Sequence, residues 1–294
     1  MPVAEMTLME VTDAQRMAIR KDVNLDSDEK LQKCISEVQE WYQEQSHLPR
    51  IELDPVLVER FLIARKGSVS QTKEKLDSMF SIRSSIPELA SPRDIKHPRV
   101  QSTLKAVNVA PLPKLNHDNT RVTFCRYTND AASYDLPMSA VYLFMIMEYR
   151  MRYDYTAGDR FVFDLKEKGW RHFARELPHV IIKVDKYMKA SFGSRIKGIH
   201  LLNSPYFINK IMAMMKLLLP KKLMDRIQIH DTLEDLYFAV DREILPKDYG
   251  GNAKSLQEIN DEWVAELNKD NVKKYLSYQE NLRSDESKRI KKTI

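Results

Sequence analysis

Four short segments set the strongest constraint on how this chain can fold. They are RVTFCRY (121–127), RFVFDL (160–165), IKGIHLLN (196–203) and RIQIHD (226–231). Each is rich in β-branched or aromatic residues and reads as a strand. The stretches between them are long enough for helices, expected over 139–155, 174–190 and within 206–223, with another over 233–244 after the last strand. Strands that alternate with helices are joined by crossovers, not hairpins, and so imply a mainly parallel sheet in an α/β architecture.

Upstream the period is helical. Leu31, Ile35, Val38 and Tyr42 recur every three to four residues over 27–45, the mark of an amphipathic helix. Asp54-Pro55 opens another, with Asp54 as N-cap and Pro55 in the first helical position, running through VLVERFLIARK to Gly67. Ser70 is expected to cap a third, QTKEKLDSMFSIRSSI, which stops at Pro87. Residues 88–120 carry prolines and little periodicity and read as a linker. The run from Leu256, ending in KRIKK, reads as a charged, solvated, helix-like tail. The expected organisation is an all-helical module over 1–95, an α/β domain over 96–255 and a tail over 256–294.

Several kinds of chemistry lack their residues. With seven glycines the chain has no phosphate-cradling loop, and it contains neither a Gly-x-Ser-x-Gly elbow nor a His-Glu-x-x-His helix. His172 and His179 are seven apart, but exposed or capping roles suit them better than a site. Asp164, at the end of RFVFDL, has the place of a catalytic carboxylate in an α/β enzyme, but a cap on the following turn suits it better. No enzyme, metal or cofactor is therefore expected. Cys34 and Cys125 form no metal-spaced pair, and two isolated thiols fit a reducing compartment, the cytoplasm. Met1 to Arg20 mixes Glu5, Glu10 and Asp13 among its apolar residues, unlike a secretory signal. A formal charge of +5 does not argue for nucleic acid, yet a local basic patch could meet an anionic membrane.

The stretch YFINKIMAMMKLLLPKKL (206–223) is unusually apolar but too interrupted to span a bilayer. On a helical projection Phe207, Ile208, Ile211, Met212, Met214, Met215, Leu218 and Leu219 share an arc of roughly 160°. Eight such side chains at about 1.5–3 kcal/mol each put roughly 12–24 kcal/mol between full burial and full exposure to water. Two readings follow: a permanently buried helix, or a lid that opens only onto lipid.

Several motifs, in order, resemble one family. FLIARKGSVSQTKEKL with its helix ending in IPEL, the strand RFVFDLKEKGW, the run IKGIHLLNSPYFINKIMAMMKLLLPKKLMDRIQIHD and the closing ILPKDYGG are similar to those of CRAL-TRIO lipid-transfer proteins, over roughly residues 50–255. The resemblance implies an N-terminal helical module, then a domain whose sheet floors an apolar cavity under a gate helix, here 204–223. The implied function is a monomeric, non-enzymatic carrier of one small hydrophobic ligand, of tocopherol or retinoid type, peripherally associated with membranes. A lipid-sensing module that recruits a protein partner through its tail is the alternative.

Residues expected to line the cavity are Leu143, Met147, Phe161, Phe163, Ile181, Val184, Tyr187, Met188, Phe192, Ile199 and Leu201, with Phe207, Ile211, Met214, Met215 and Leu218 from the gate. Tyr153, Ser191 and Asn203 are candidates for orienting a polar group on the cargo. In the family, a basic-x-basic pair before the GIHL strand and a lysine and arginine four apart after the gate contact a phosphoinositide. By that match Arg195, Lys197, Lys222 and Arg226 are implied headgroup ligands, for example of phosphatidylinositol bisphosphate, and Arg65 joins them. The family's basic residue two places before Arg65 is here Ile63. Arginines suit such a headgroup because each guanidinium can grip phosphate oxygens with two bonds.

Overall fold

The computed structural model describes residues 8–290. The first seven residues of the segment read as unlike a secretory signal, and the end of KRIKK, lie outside the described residues. Helices α1 (Asp13–Lys21), α2 (Asp28–Glu44), α3 (Pro55–Ala64) and α4 (Val69–Ser85) build the N-terminal module. The α2 stripe Leu31, Ile35, Val38 and Tyr42 is buried. Asp54 accepts from the Val56 N–H ahead of Pro55. The cap of α4 is Ser68, which accepts from the Gln71 N–H; Ser70 already lies in the first turn. The chain leaves α3 sharply through Gly67, at φ +77°, so the next helix starts two residues sooner than its sequence suggests.

Residues 88–120 are not a linker. They form α5 (Pro87–Ala90), α6 (Pro98–Thr103) and β1 (Val107–Leu115), which pairs antiparallel with β2 (Thr120–Tyr127). Pro111 and Pro113 cannot donate to a ladder, which confines such a strand to a sheet edge and disguises it in the sequence. The register slips between Pro111 and Leu115.

The remaining chain adds α7 (Leu136–Tyr153), β3 (Gly158–Asp164), α8 (Trp170–Phe173), α9 (Pro178–Phe192), β4 (Ile196–Leu202), α10 (Ile208–Leu218), α11 (Lys221–Met224), β5 (Ile227–Ile229) and α12 (Leu233–Leu236). The helix expected over 233–244 survives as α12 and a 3-10 turn at Arg242–Ile244. The strands lie in the order β1-β2-β3-β4-β5, with β2 to β5 parallel. Because the order never reverses, right-handed crossovers put all the connecting helices on one face. The lining residues agree. Phe161, Ile199 and Ile227 are register partners across three strands, and they face the same cavity as Leu143 of α7, Ile181 of α9 and Ile211 of α10.

The opposite face carries Phe124, Val162 and His200. There the Phe124 ring meets Tyr249 at 4.7 Å, and the Tyr249 hydroxyl donates to Asp164 at 2.7 Å. Asp164 also accepts from the Lys166 N–H and the Asn203 amide. It is a turn cap and an anchor for the segment that closes the domain. The two glycines after Tyr249 are required sterically: Gly250 has φ +73°, and a Cβ on Gly251 would sit 2.0 Å from the Leu245 carbonyl oxygen.

The segment from Leu256 is not a solvated tail. α13 (Leu256–Leu267) and α14 (Asp270–Asn281) bury Leu256, Ile259, Trp263, Leu267, Val272 and Leu276 in the main core. Asn260 accepts from the Val109 N–H at 2.9 Å, and the Trp263 indole donates to the Pro111 carbonyl at 3.0 Å, so α13 satisfies the open edge of β1. The charged residues visible in the sequence form only the outer faces of these helices. The helical module is bolted on by Glu148 of α7, which accepts from Arg83 of α4 at 3.2 Å and Arg93 at 2.8 Å; all three are buried.

Candidate ligand cavity

Between the sheet and α9, α10 and α11 lies a cavity of about 320 Å³, lined mainly by apolar side chains. That is near the lower end of the roughly 300–1,000 Å³ typical of small-molecule sites. Strand alternation explains the floor, since Phe161 and Phe163 on β3 and Ile199 and Leu201 on β4 point the same way. Leu143, Ile181, Val184 and Met188 form a wall, and Ile211 and Met215 hang from α10 above.

Other anticipated residues lie elsewhere. Met147 and Phe192 line a separate void of about 60 Å³ with Arg60, Arg150, Asp154 and Arg195. Tyr187 is wholly buried, stacked on Phe144 with ring centroids 4.8 Å apart, and its hydroxyl accepts from Arg93. Phe207 packs edge-on against Trp170 and Phe173 instead of facing inward. Met214 and Leu218 are half-buried on the flank of α10 and do not reach the cavity wall. Of the eight residues of the apolar arc, Ile208, Ile211, Met212, Met215 and Leu219 line the cavity, and the helix is shorter than the sequence pattern. It ends at Leu218, Pro220 starts α11, and only Ile208 and Ile211 are fully buried. The contribution of burial is therefore well below that for eight covered side chains.

Sequence reasoning missed Tyr127, Leu136, Leu165, Lys168, Phe173, Glu176, Ile196, Met212 and Leu223 among the lining. Most sit in turns or at strand ends, where no periodicity marks an inward direction. Ile208, Leu219 and Ile227 complete the apolar wall, and Asp185, Lys189 and Ser194 lie at its α9 side. The suggested polar residues are committed elsewhere: Asn203 to Asp164, Tyr153 to the rings of Tyr149 and Tyr275, while Ser191 is buried away from the lining. His172 is neither exposed nor a cap. It is buried edge-on to Tyr127 and Tyr134, and burial followed by the charge of Lys168 lowers its pKa.

α10 is amphipathic in an unusual sense. Its outward side exposes Leu217 (87%), and just before it Tyr206 is 98% exposed; Trp170 of α8, edge-on to Phe207, is 64% exposed. Three large apolar side chains thus face outward around the cavity cover. Among the described residues no helix is long and apolar enough to cross a membrane.

The anticipated basic residues gather near the N-terminal ends of β4 and β5. Arg195 and Lys197 enter β4. Arg226 precedes β5 and its carbonyl accepts from the Ile199 N–H, which sets the two strand starts side by side. Lys222 is exposed on α11. Among the described residues, none of these four side chains has a recorded hydrogen bond or ion pair. Arg65 is held differently, donating to the Gly193 carbonyl after α9. Burial, then Arg195, lowers the Arg65 pKa. Lys75 donates to the Lys189 carbonyl, and burial, then Arg65, brings it down to about 7.

Residues 108–251 match the family model described as "CRAL/TRIO domain", and residues 27–100 match "Pinta-like, UBA domain". Among curated relatives, the human "Alpha-tocopherol transfer protein-like" is 28% identical over 222 residues, covering 73% of this chain and 63% of that protein. Mouse "Clavesin-2" is 23% identical over 225 residues, covering 75% of this chain and 69% of the relative. The chain thus spans about 63% of the length of the first of these relatives. The solved structure titled "Crystal structure of Sfh5" superposes with a TM-score of 0.46 at 12% identity, covering 86% of this chain and 93% of the other.

Proposed function

We propose that this chain, whose residues 108–251 form a CRAL-TRIO domain, carries one small hydrophobic molecule in the cavity beneath α10 and exchanges it at phosphoinositide-bearing membranes by displacement of that helix. The observation that carries this reading is the pairing of an apolar cavity with a cover whose outer side, beside Asn209, Lys210 and Lys216, also presents large apolar side chains. Ile211 and Met215 face the cavity, while Leu217, with Tyr206 and Trp170 nearby, faces outward. In water, lifting α10 would expose the inner set with no compensation. At a bilayer the outer set can insert and lipid can replace the burial the inner set loses.

The basic residues supply the membrane address in this reading. Arg195, Lys197, Lys222 and Arg226 lack carboxylate partners among the described residues, and Arg65 is repelled by Arg195 and itself repels Lys75. A phosphorylated headgroup would relieve that repulsion. Since one relative is described as an alpha-tocopherol transfer protein-like protein, cargo of that type is among those to be tried first. The apolar faces of α13 and α14 pack on the core, so a partner recruited through this segment would meet its outer faces, where Tyr278 is half-exposed.

The test is lipid identification by native mass spectrometry of the purified protein, followed by vesicle-to-vesicle transfer of that lipid. Lys222→Glu with Arg226→Glu is expected to weaken co-sedimentation with phosphatidylinositol bisphosphate vesicles and to slow transfer. An empty protein that takes up none of a panel of hydrophobic ligands overturns the carrier reading. Unchanged co-sedimentation and transfer overturn the headgroup assignment.

A further inference from the structure

One end of the cavity is not apolar. Lys168, from the turn after β3, and Glu176, from the turn after α8, both line it, although they are only 6% and 7% exposed. Their side chains meet, with Nζ to Oε1 at 2.5 Å. The Tyr134 hydroxyl donates to the same Oε1 at 2.6 Å. The Lys168 ammonium also lies 4.2 Å from the Tyr127 ring centroid and 4.6 Å from that of Phe173, both lining residues. Glu176 Oε2 accepts no hydrogen bond from the described residues and is not fully enclosed. Its lone pairs therefore open onto accessible space.

A buried ion pair in the wall of a lipid cavity is a poor choice for stability alone, since apolar residues of the same volume are often as good or better. Facing a ligand, it has a clear chemical consequence. The remaining charged pair on the lining, Asp185 and Lys189, is half-exposed on α9, so it belongs to the surface side of the cavity. Burial, then the charge of Lys168, lowers the pKa of His172 beside Tyr134, which disfavours a further positive charge at the buried end.

We propose that Lys168 and Glu176 form the head-group subsite of this cavity, selecting an uncharged amphiphile whose head donates a hydrogen bond, an alcohol or a phenol. The inference rests on the carrier reading above and adds the chemical class of the cargo. A hydroxyl donates a hydrogen bond to Glu176 Oε2, and its oxygen can accept one from the Lys168 ammonium. A pure hydrocarbon leaves the open carboxylate oxygen desolvated and unpaired. A carboxylate head meets Glu176 as a like charge in a low-dielectric site, which Lys168, already paired, does not offset. The sequence shows Lys168 and Glu176 only as two more charged residues in a turn-rich stretch.

The experiment compares dodecanol, dodecanoate and dodecane, identical in chain and different only in head, binding to the full chain at mildly alkaline pH. Wild type is expected to bind dodecanol about tenfold more tightly than either of the others, the discrimination of one hydrogen bond to a charged group. Glu176→Gln leaves Lys168 without its counter-charge, so dodecanoate should gain about tenfold relative to dodecanol. The pair replacement Lys168→Met with Glu176→Met, made together with Tyr134→Phe, keeps about the same volume and removes both charges and the acceptor; it is expected to fold and to bind dodecanol and dodecane alike. Thermal melts verify that each variant is folded. Binding of all three probes without head discrimination by wild type overturns the subsite alone. So does an unchanged dodecanoate-to-dodecanol ratio in Glu176→Gln, or retained alcohol preference in the pair replacement should the single variant not fold. No binding of any probe to wild type overturns the carrier reading and the subsite together.

Discussion

Leu217→Ser separates a membrane role for α10 from a purely structural one. Leu217 is 87% exposed, so in the free protein its side chain contributes almost nothing to the core, and replacement by serine should change stability by less than about 0.5 kcal/mol. Inserted into a bilayer, the same side chain gains about 1.5–3 kcal/mol for full burial. Scaled by the exposed fraction, the loss on substitution is about 1.3–2.6 kcal/mol, or at least about a tenfold fall in partitioning onto vesicles. The assay is co-sedimentation with uncharged phosphatidylcholine vesicles, in which headgroup electrostatics play no part, paired with a thermal melt. Ile211→Ser is the contrast: it lies beneath the helix, and it should lower the melting temperature. The reasoning fails if Leu217→Ser partitions like wild type, or if its partitioning falls only in step with a lowered melting temperature.

Other outcomes follow from residues away from the cavity. Trp263→Ala should cost about 3–5 kcal/mol in urea unfolding, since the indole is fully buried against β1; a negligible loss would return α13 to the role of a dispensable tail. Glu148→Gln should cost about 3–5 kcal/mol, because it leaves Arg83 and Arg93 buried beside a neutral amide; differential scanning calorimetry reads the loss directly. His200 faces His230 with ring nitrogens 2.9 Å apart, and burial, then His230 and Arg160, lower its pKa from 6.5 to about 4. The folded state therefore binds fewer protons than the unfolded one. The contribution is complete above pH 6.5 and is lost as pH falls towards 4, about 3 kcal/mol in all. His200→Asn should remove that part of the acid sensitivity, read as the wild-type-minus-variant difference in urea midpoint across that range.

The local instructions were legible in the chain. The stripe of Leu31, Ile35, Val38 and Tyr42, the Asp54-Pro55 helix start and the alternation of RFVFDL with IKGIHLLN each depend on neighbours within a few residues. Alternation alone was enough to put Phe161, Phe163, Ile199 and Leu201 on one face, and that face floors the cavity. Reading by period fails where direction is decided by distant contacts. Pro111 and Pro113 looked like a linker because their missing donors are harmless only at an edge that α13 then covers. Met147 and Phe192 share the apolar character of Leu143 and Met188, yet their positions on α7 and α9 turn them into a different void.

What the sequence by itself determined was the kind of machine: short apolar strands, crossover helices, an oily helix broken by Pro220, and basic residues at the starts of two strands. Each of these is set by side-chain type and spacing, which physics reads locally. Only the tertiary structure decided what the cavity contains. Lys168 and Glu176 lie eight residues apart across a short helix, and burial against Tyr127, Tyr134 and Phe173 makes them one polar end of an apolar space. That conversion has no sequence signature, because the same two charges in water would be an ordinary surface pair. Desolvation is what gives them chemical meaning, and desolvation is a property of the packed fold.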